Sequence, residues 1–205
     1  MDVLVVCRAN VCRSRVAEGL LTEPLRRLGA SVTGAGVSAA DRDVACTDAA
    51  SYLQTHHGLS AEHPPRQLTA AMAKNARLIL TAEAGVTARV AELCPSARPR
   101  IFRLLWAATA LPYIAGFVAA REAPPGAPPM PAALDDRWGW LVDELDAARG
   151  QLPAPGDQGD AFYDIRDPHA EAVTHADALD RIAAACEQIA RSAYVVLDSV
   201  VLSPV

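Results

Sequence analysis

Cys7 and Arg13 bracket the segment Cys7-Arg8-Ala9-Asn10-Val11-Cys12-Arg13-Ser14, directly after a short apolar run. A thiolate is a strong nucleophile near neutral pH, and a guanidinium offers a planar fork that matches two phosphoryl oxygens, which lysine cannot. Between them the N–H groups of residues 8–13 can curl around a phosphate as an anion nest, at a helix N-terminus whose dipole favours negative charge. The Ser14 hydroxyl can donate to the Cys7 thiolate and stabilise it. A bare Cys-x5-Arg arises by chance, and a cysteine at a strand end is ordinarily a small hydrophobe. A strand, then Cys-x5-Arg-Ser, then an amphipathic helix is a rarer conjunction. It points to phosphomonoester hydrolysis through a cysteinyl-phosphate intermediate.

That chemistry also needs an acid for the leaving oxygen, which then acts as a base towards water. Asp167 precedes Pro168, which biases it to extended backbone on a loop, as suits a lid far from Cys7 in sequence. Asp160 and Asp164 are the competing candidates. No metal and no cofactor is required by this scheme.

The elements around these residues read as α/β. Residues 3–6 form an apolar, β-branched run of the kind buried on both faces of a parallel sheet. A helix over 14–28 follows, with Val16, Leu20, Leu21, Leu25 and Leu28 at helical spacing and Gly29 as its stop. Further strands are expected at 30–38, 77–80 and 100–104, and helices at 47–57, 69–75 and 85–93. This alternation predicts a doubly wound, four-stranded parallel sheet flanked by helices, with the phosphate-binding loop after the first strand, where such sheets bind ligands. Residues 1–205 read as one domain with a Pro-rich insertion at about 121–160 that carries a helix over 134–149. A helix over 174–191 and a strand-like segment over 194–202 complete the chain.

Bulk properties narrow the partners. The net charge of −5 disfavours nucleic acid and anionic membranes. The N-terminus shows no basic n-region or long apolar stretch, so the expected compartment is the cytoplasm, where thiols stay reduced. Five cysteines without close CxxC spacing argue against a disulfide scaffold or a structural zinc site. Residues 104–120 carry no charge but include Pro112 and Gly116, which favours a buried or self-associating helix, and so a candidate homodimer, over a membrane span. Abundant Ala, Pro and Arg, with Lys74 the sole lysine, suggest a GC-rich bacterial genome.

The stretch from Leu4 to Ser14 with Ala17-Glu18-Gly19-Leu20 resembles the opening of the low-molecular-weight protein tyrosine phosphatases. Their signature Cys-x-x-Asn-x-Cys-Arg-Ser is matched by Cys7, Asn10, Cys12, Arg13 and Ser14. The likeness continues at Gly36-Val37-Ser38-Ala39, His63-Pro64-Pro65-Arg66-Gln67 and Asp167-Pro168, covering about residues 1–104 and 161–195. The resemblance implies Cys7 as nucleophile, Arg13 as phosphate clamp and Asp167 as general acid. Residues Arg8, Ala9, Asn10, Val11, Cys12 and Ser14 would bind phosphate. It implies a left-handed Asn10 tied to Ser14, Ser38 and His63, and Cys12 as a partner that traps oxidised Cys7 in a disulfide. The substrate would be a phosphorylated protein or a small-molecule phosphate.

Three positions depart from that pattern. His169 stands where the family commonly has an aromatic residue after Asp-Pro, the 39–47 loop offers Asp41, Arg42 and Asp43 rather than an aromatic, and Arg8 replaces an apolar neighbour of the nucleophile. Aromatic walls grip a phenyl ring, so these changes weaken the case for phosphotyrosine and favour a substrate with a second anionic group. Val11, where phosphoarginine-directed members tend to have threonine, leans towards an oxygen ester. Trp106, Trp138 and Trp140 could restore an aromatic wall, although such residues are more often core. The rival functions are arsenate reduction, which needs resolving cysteines that Cys46, Cys94 and Cys186 do not obviously supply, and non-catalytic phosphate binding.

Overall fold

β1 (Asp2–Cys7) is apolar at successive positions because both of its faces are covered. In the computed structural model, which describes residues 1–39, 44–60, 63–120, 122, 124–152 and 159–198, β1 lies between two parallel neighbours. These are β2 (Ser31–Gly36) and β3 (Leu78–Thr81), and β4 (Ile101–Arg103) completes the order β2-β1-β3-β4. All pairings are parallel, as the alternation of strand and helix patterns requires.

Side chains alternate across the sheet, so Val3 and Val5 enter one layer and Leu4 and Val6 the other. The first layer holds α1 (Arg13–Arg26), α2 (Thr47–Tyr52, continued by a π-type turn over Leu53–His57), α5 (Leu104–Ala119), α6 (Leu134–Ala147) and α7 (His175–Leu197). The second holds α3 (Ala70–Asn75) and α4 (Ala84–Leu93). Gly29, at φ 75°, ends α1 by taking the left-handed conformation, with Ala30 N–H returning to Leu25 O at 2.9 Å. That reversal aims the chain into β2.

The uncharged 104–120 stretch is α5, and Leu104, Trp106, Ala107, Ala110, Leu111, Ile114 and Ala115 are buried within the chain's own core. Among the described residues, no helix is long and apolar enough to cross a membrane. Leu105, Tyr113, Phe117 and Val118 of α5 are partly exposed, while the fully exposed large apolar side chains among the described residues lie outside this helix. α6, from the Pro-rich region, joins the same core. Trp138 Nε1 donates to Leu28 O at 2.8 Å, and Arg137 Nη1 to Leu197 O at 3.0 Å.

One element differs from the sequence expectation. Residues 194–197 are not a strand but the last turn of α7, and residues 199–202 lie outside the described residues. The helical spacing of Ile189, Ala193, Val196 and Leu197, all buried, overrides the β-branched bias of the Val195-Val196 pair. Burying a valine or leucine side chain contributes about 1.5–3 kcal/mol, more than the difference in propensity.

Candidate active site

The loop leaves β1 at its carboxyl end, between the strands on either side. Val37 N–H donates to Cys7 O at 3.0 Å and Ser38 N–H to Arg8 O at 2.7 Å, so the end of β2 holds the start of the loop. Such closeness needs a glycine at position 36: a Cβ there would sit 2.6 Å from the Ala9 carbonyl carbon and 2.7 Å from Asn10 N. Asn10 then turns the backbone at φ 52°, the only positive φ of a non-glycine among the described residues. Its buried side chain bridges two segments. Nδ2 donates to Ser14 Oγ at 2.9 Å, and Oδ1 accepts the Arg66 N–H at 2.9 Å.

The Cys7 sulfur is buried and receives two polar contacts, the Asn10 N–H at 3.2 Å and Ser14 Oγ at 3.1 Å. Because Ser14 accepts from Asn10, its single proton is free for the sulfur, with Ala35 O at 3.3 Å as the other acceptor. Ser38 meets the loop only through its backbone, and its side chain is exposed. His63 does not reach Asn10 as expected. Its Nε2 lies 2.8 Å from Glu18 Oε2, while Glu18 Oε1 accepts from Arg66 Nη1 at 2.8 Å. His63 and Ser38 thus flank the loop's supports rather than touching the Asn10 amide.

Arg13 opens α1 and is buried. Nη1 donates to Glu83 Oε2 at 2.9 Å and to Ile165 O at 2.7 Å, and Nη2 lies 2.9 Å from Asp167 Oδ2. Burial opposes its charge, but Cys7, Glu83 and Asp167 together hold it above the ordinary arginine value. Asp167 Oδ1 accepts the His169 N–H at 3.1 Å. The two rival carboxylates face elsewhere: Asp160 and Asp164 both pair with Arg103, and Asp164 also accepts from Ala84 N–H at 2.9 Å.

A cleft of about 480 Å³ opens above the loop. Cys7, Arg8, Ala9, Val11, Cys12, Arg13, Asp167 and His169 line it, whereas Asn10 and Ser14 lie beneath. His169 is the only ring in the described wall. Trp106, Trp138 and Trp140 are buried away from it. Asp41, Arg42 and Asp43 lie outside the described residues.

Cys12 points not into an isolated pocket but at Cys46, whose backbone N–H donates to Val11 O at 2.9 Å. The two sulfurs lie within 4.8 Å of one another, and the neighbouring Cys12 thiol pulls Cys46 down to about 5. Burial opposes this, while the Ala49 N–H and the nearby His175 and His169 assist. Cys12 moves strongly upward, through the Cys46 side chain first and burial second. Cys46 is thus a sulfur neighbour of Cys12 that its place in the sequence does not reveal. The supporting roles of Glu83 and Arg66 likewise escape a reading of motifs alone. Glu83 stands two residues past the end of β3, near a strand end where site residues gather in doubly wound sheets, and that signal could have found it.

The low molecular weight phosphotyrosine protein phosphatase family model matches residues 2–110. Over 98 residues the chain is 41% identical to the low molecular weight protein-tyrosine-phosphatase Etp of Escherichia coli K12. That match covers 47% of this chain and 64% of Etp, so the chain spans under two thirds of that relative's length. It is 35% identical over 103 residues to EpsP of Ralstonia nicotianae, described as a probable enzyme of the same kind, covering 50% of this chain and 69% of EpsP. Among solved structures, YfkJ from Bacillus subtilis shares the fold with a TM-score of 0.60 over 94% of this chain and 93% of that one, at 17% identity.

Proposed function

This chain belongs to the low molecular weight phosphotyrosine protein phosphatase family, and on that premise we propose that it hydrolyses phosphomonoesters through a phosphocysteine on Cys7. The observation that carries the reading is the convergence on one cleft of a nucleophilic sulfur, a guanidinium and a carboxyl group. The Cys7 sulfur is fixed by Asn10 N–H and Ser14, and Arg13 and Asp167 stand beside it.

In this reading the phosphoryl group settles among the loop N–H groups, with Arg13 on two of its oxygens. The Cys7 sulfur bonds to phosphorus as the bond to the leaving oxygen breaks, and Asp167 gives that oxygen its proton. Asp167, now a carboxylate, takes a proton from water as the water oxygen attacks phosphorus. Cys7 leaves as thiolate and inorganic phosphate departs. Glu83 and the Ile165 carbonyl hold Arg13 so that its fork is already oriented when substrate arrives. The thiolate persists only in a reducing compartment, which fits the cytoplasm.

Etp and EpsP are named as protein-tyrosine phosphatases, which supports a phosphoprotein substrate. A second reading, a small-molecule phosphate carrying another anionic group, draws on the cleft itself. Exposed Arg8 lines it, and no Phe, Tyr or Trp does among the described residues. The test is hydrolysis of p-nitrophenyl phosphate without added metal. Turnover should be blocked by vanadate and abolished in Cys7→Ser, and retained turnover in Cys7→Ser would sink the mechanism. Comparing kcat/KM for phosphotyrosine peptides, phosphoarginine, sugar phosphates and arsenate then separates the substrate classes.

A further inference from the structure

Four potential metal ligands from three distant parts of the chain converge beside the cleft. They are Cys12 in the loop, Cys46 before α2, His169 after Asp167-Pro168 and His175 at the start of α7. Their ligand atoms all lie within 4.8 Å of one another. The two histidines are closer still, with Nε2 atoms 3.3 Å apart and rings edge to face. A tetrahedral zinc ion with bonds of about 2.0–2.1 Å to nitrogen needs its two imidazole nitrogens about 3.3 Å apart, and thiolates at about 2.3 Å stand slightly farther out. The histidine pair already has that spacing, and the remaining contraction is modest.

We propose that Cys12, Cys46, His169 and His175 form a binding site for one Zn²⁺ ion, held by two sulfurs and two imidazole nitrogens at the wall of the cleft. Two thiolates with two imidazoles are a borderline-soft set that suits Zn²⁺ and disfavours Mg²⁺ or Ca²⁺. The surroundings pre-position the ligands. Cys46 is pinned to the loop through Val11 O, and the His169 N–H is held by Asp167 Oδ1 at 3.1 Å. His175 turns its outer nitrogen, Nδ1, towards the Asp48 carboxylate at 3.8 Å, the arrangement by which a second carboxylate fixes a ligating imidazole. His169 is exposed, which gives the ion an entry path.

Four protein ligands leave no open position for substrate or water, so the ion is structural rather than catalytic. It staples the segment bearing Asp167 and the start of α7 onto the phosphate loop. The site does not depend on the phosphatase reading, because Cys7 is not among its ligands.

The test is a titration of the full chain with Zn²⁺ in a phosphine reductant, in competition with a chromogenic chelator, together with Co²⁺ substitution. One ion per chain is expected, and Co²⁺ should give tetrahedral visible bands with thiolate-to-cobalt charge transfer. Cys7→Ser should bind one ion unchanged, whereas Cys46→Ser and His175→Ala should each weaken binding by about 100-fold or more. Circular dichroism checks that each variant is folded, and if Cys46→Ser is not, His175→Ala decides. Binding that is lost in Cys7→Ser but kept in His175→Ala would place the ion on the other cysteine and overturn the proposal. So would the absence of stoichiometric binding.

Discussion

Nη2 of Arg13 lies 2.9 Å from Oδ2 of Asp167, so the proposed phosphate clamp and the proposed acid form an ion pair at the cleft wall. An incoming dianion competes with Asp167 for that guanidinium edge. When it wins, the carboxyl group is released towards the leaving oxygen.

Asp167→Asn should therefore have two opposite effects. Turnover of substrates with poor leaving groups falls by about 10²–10⁴-fold, because their oxygen departs unprotonated. Turnover of p-nitrophenyl phosphate, whose leaving group needs little help, falls far less. Vanadate and phosphate bind more tightly, since Nη2 no longer has an anionic competitor. Weaker oxyanion inhibition in the variant would contradict the competition.

Arg13→Lys keeps the charge but replaces a fork that reaches Glu83, Ile165 O and Asp167 together with a single ammonium. The expected loss in kcat/KM is about 10²–10³-fold, the usual scale for removing an oriented donor to a developing anion. Steady-state kinetics on p-nitrophenyl phosphate read it directly, and a loss below tenfold would mean that the fork geometry is unimportant.

Gly36→Ala places a methyl 2.6 Å from the Ala9 carbonyl carbon, against backbone that has nowhere to retreat. The expected cost is about 1–3 kcal/mol of stability in urea denaturation, with activity lost more steeply because the loop itself moves. Gly58→Ala, by contrast, meets nothing within 4 Å, and only its left-handed φ of 65° is strained. It should cost stability and leave the catalytic constants intact.

Glu144 is buried in α6, and burial first and Asp143 second raise its carboxyl above the ordinary value of 4.5. The folded state therefore favours the protonated form. That contribution is fully present below the unfolded value and is lost as pH rises through the raised folded value. Glu144→Gln removes the cost of burying the ion, so its thermal midpoint should exceed that of the parent at neutral pH. The difference should vanish below about pH 4. Melting curves across that range check it, and a neutral or negative effect at pH 7 would show that the carboxylate is stabilised by contacts instead.

The loop was legible in the sequence because its logic is local. An apolar strand, Cys7, a residue suited to left-handed backbone at position 10, and Arg13-Ser14 opening a helix are all set within a few residues. Asp167 is singled out by the resemblance around Asp167-Pro168 more than by its proline, and the fold sets it beside Arg13. What escaped depends on which segments the sheet brings side by side. Arg66 reaches Asn10 because residues 66–68 bond to the end of β2, and Glu83 reaches Arg13 because β3 adjoins β1. Cys46 reads as an isolated cysteine because its spacing along the chain fits no ligand motif, yet its N–H on Val11 O brings it beside Cys12. The end of α7 differs from its local sequence bias because Val195-Val196 favours a strand, and only packing against the core decides for helix.

The contact between Arg13 and Ile165 O joins residues 152 positions apart. A chain emerging from the ribosome completes its nucleophilic loop early, and well over a hundred residues must follow before the carbonyl that orients Arg13 and the carboxyl at 167 exist to dock. Loop closure over so long a span is entropically costly and comes late in folding. The arrangement proposed for turnover therefore rests on contacts of long sequence separation, and opening the segment around 165–167 would strip Arg13 of its partners while leaving the loop's local hydrogen bonds in place.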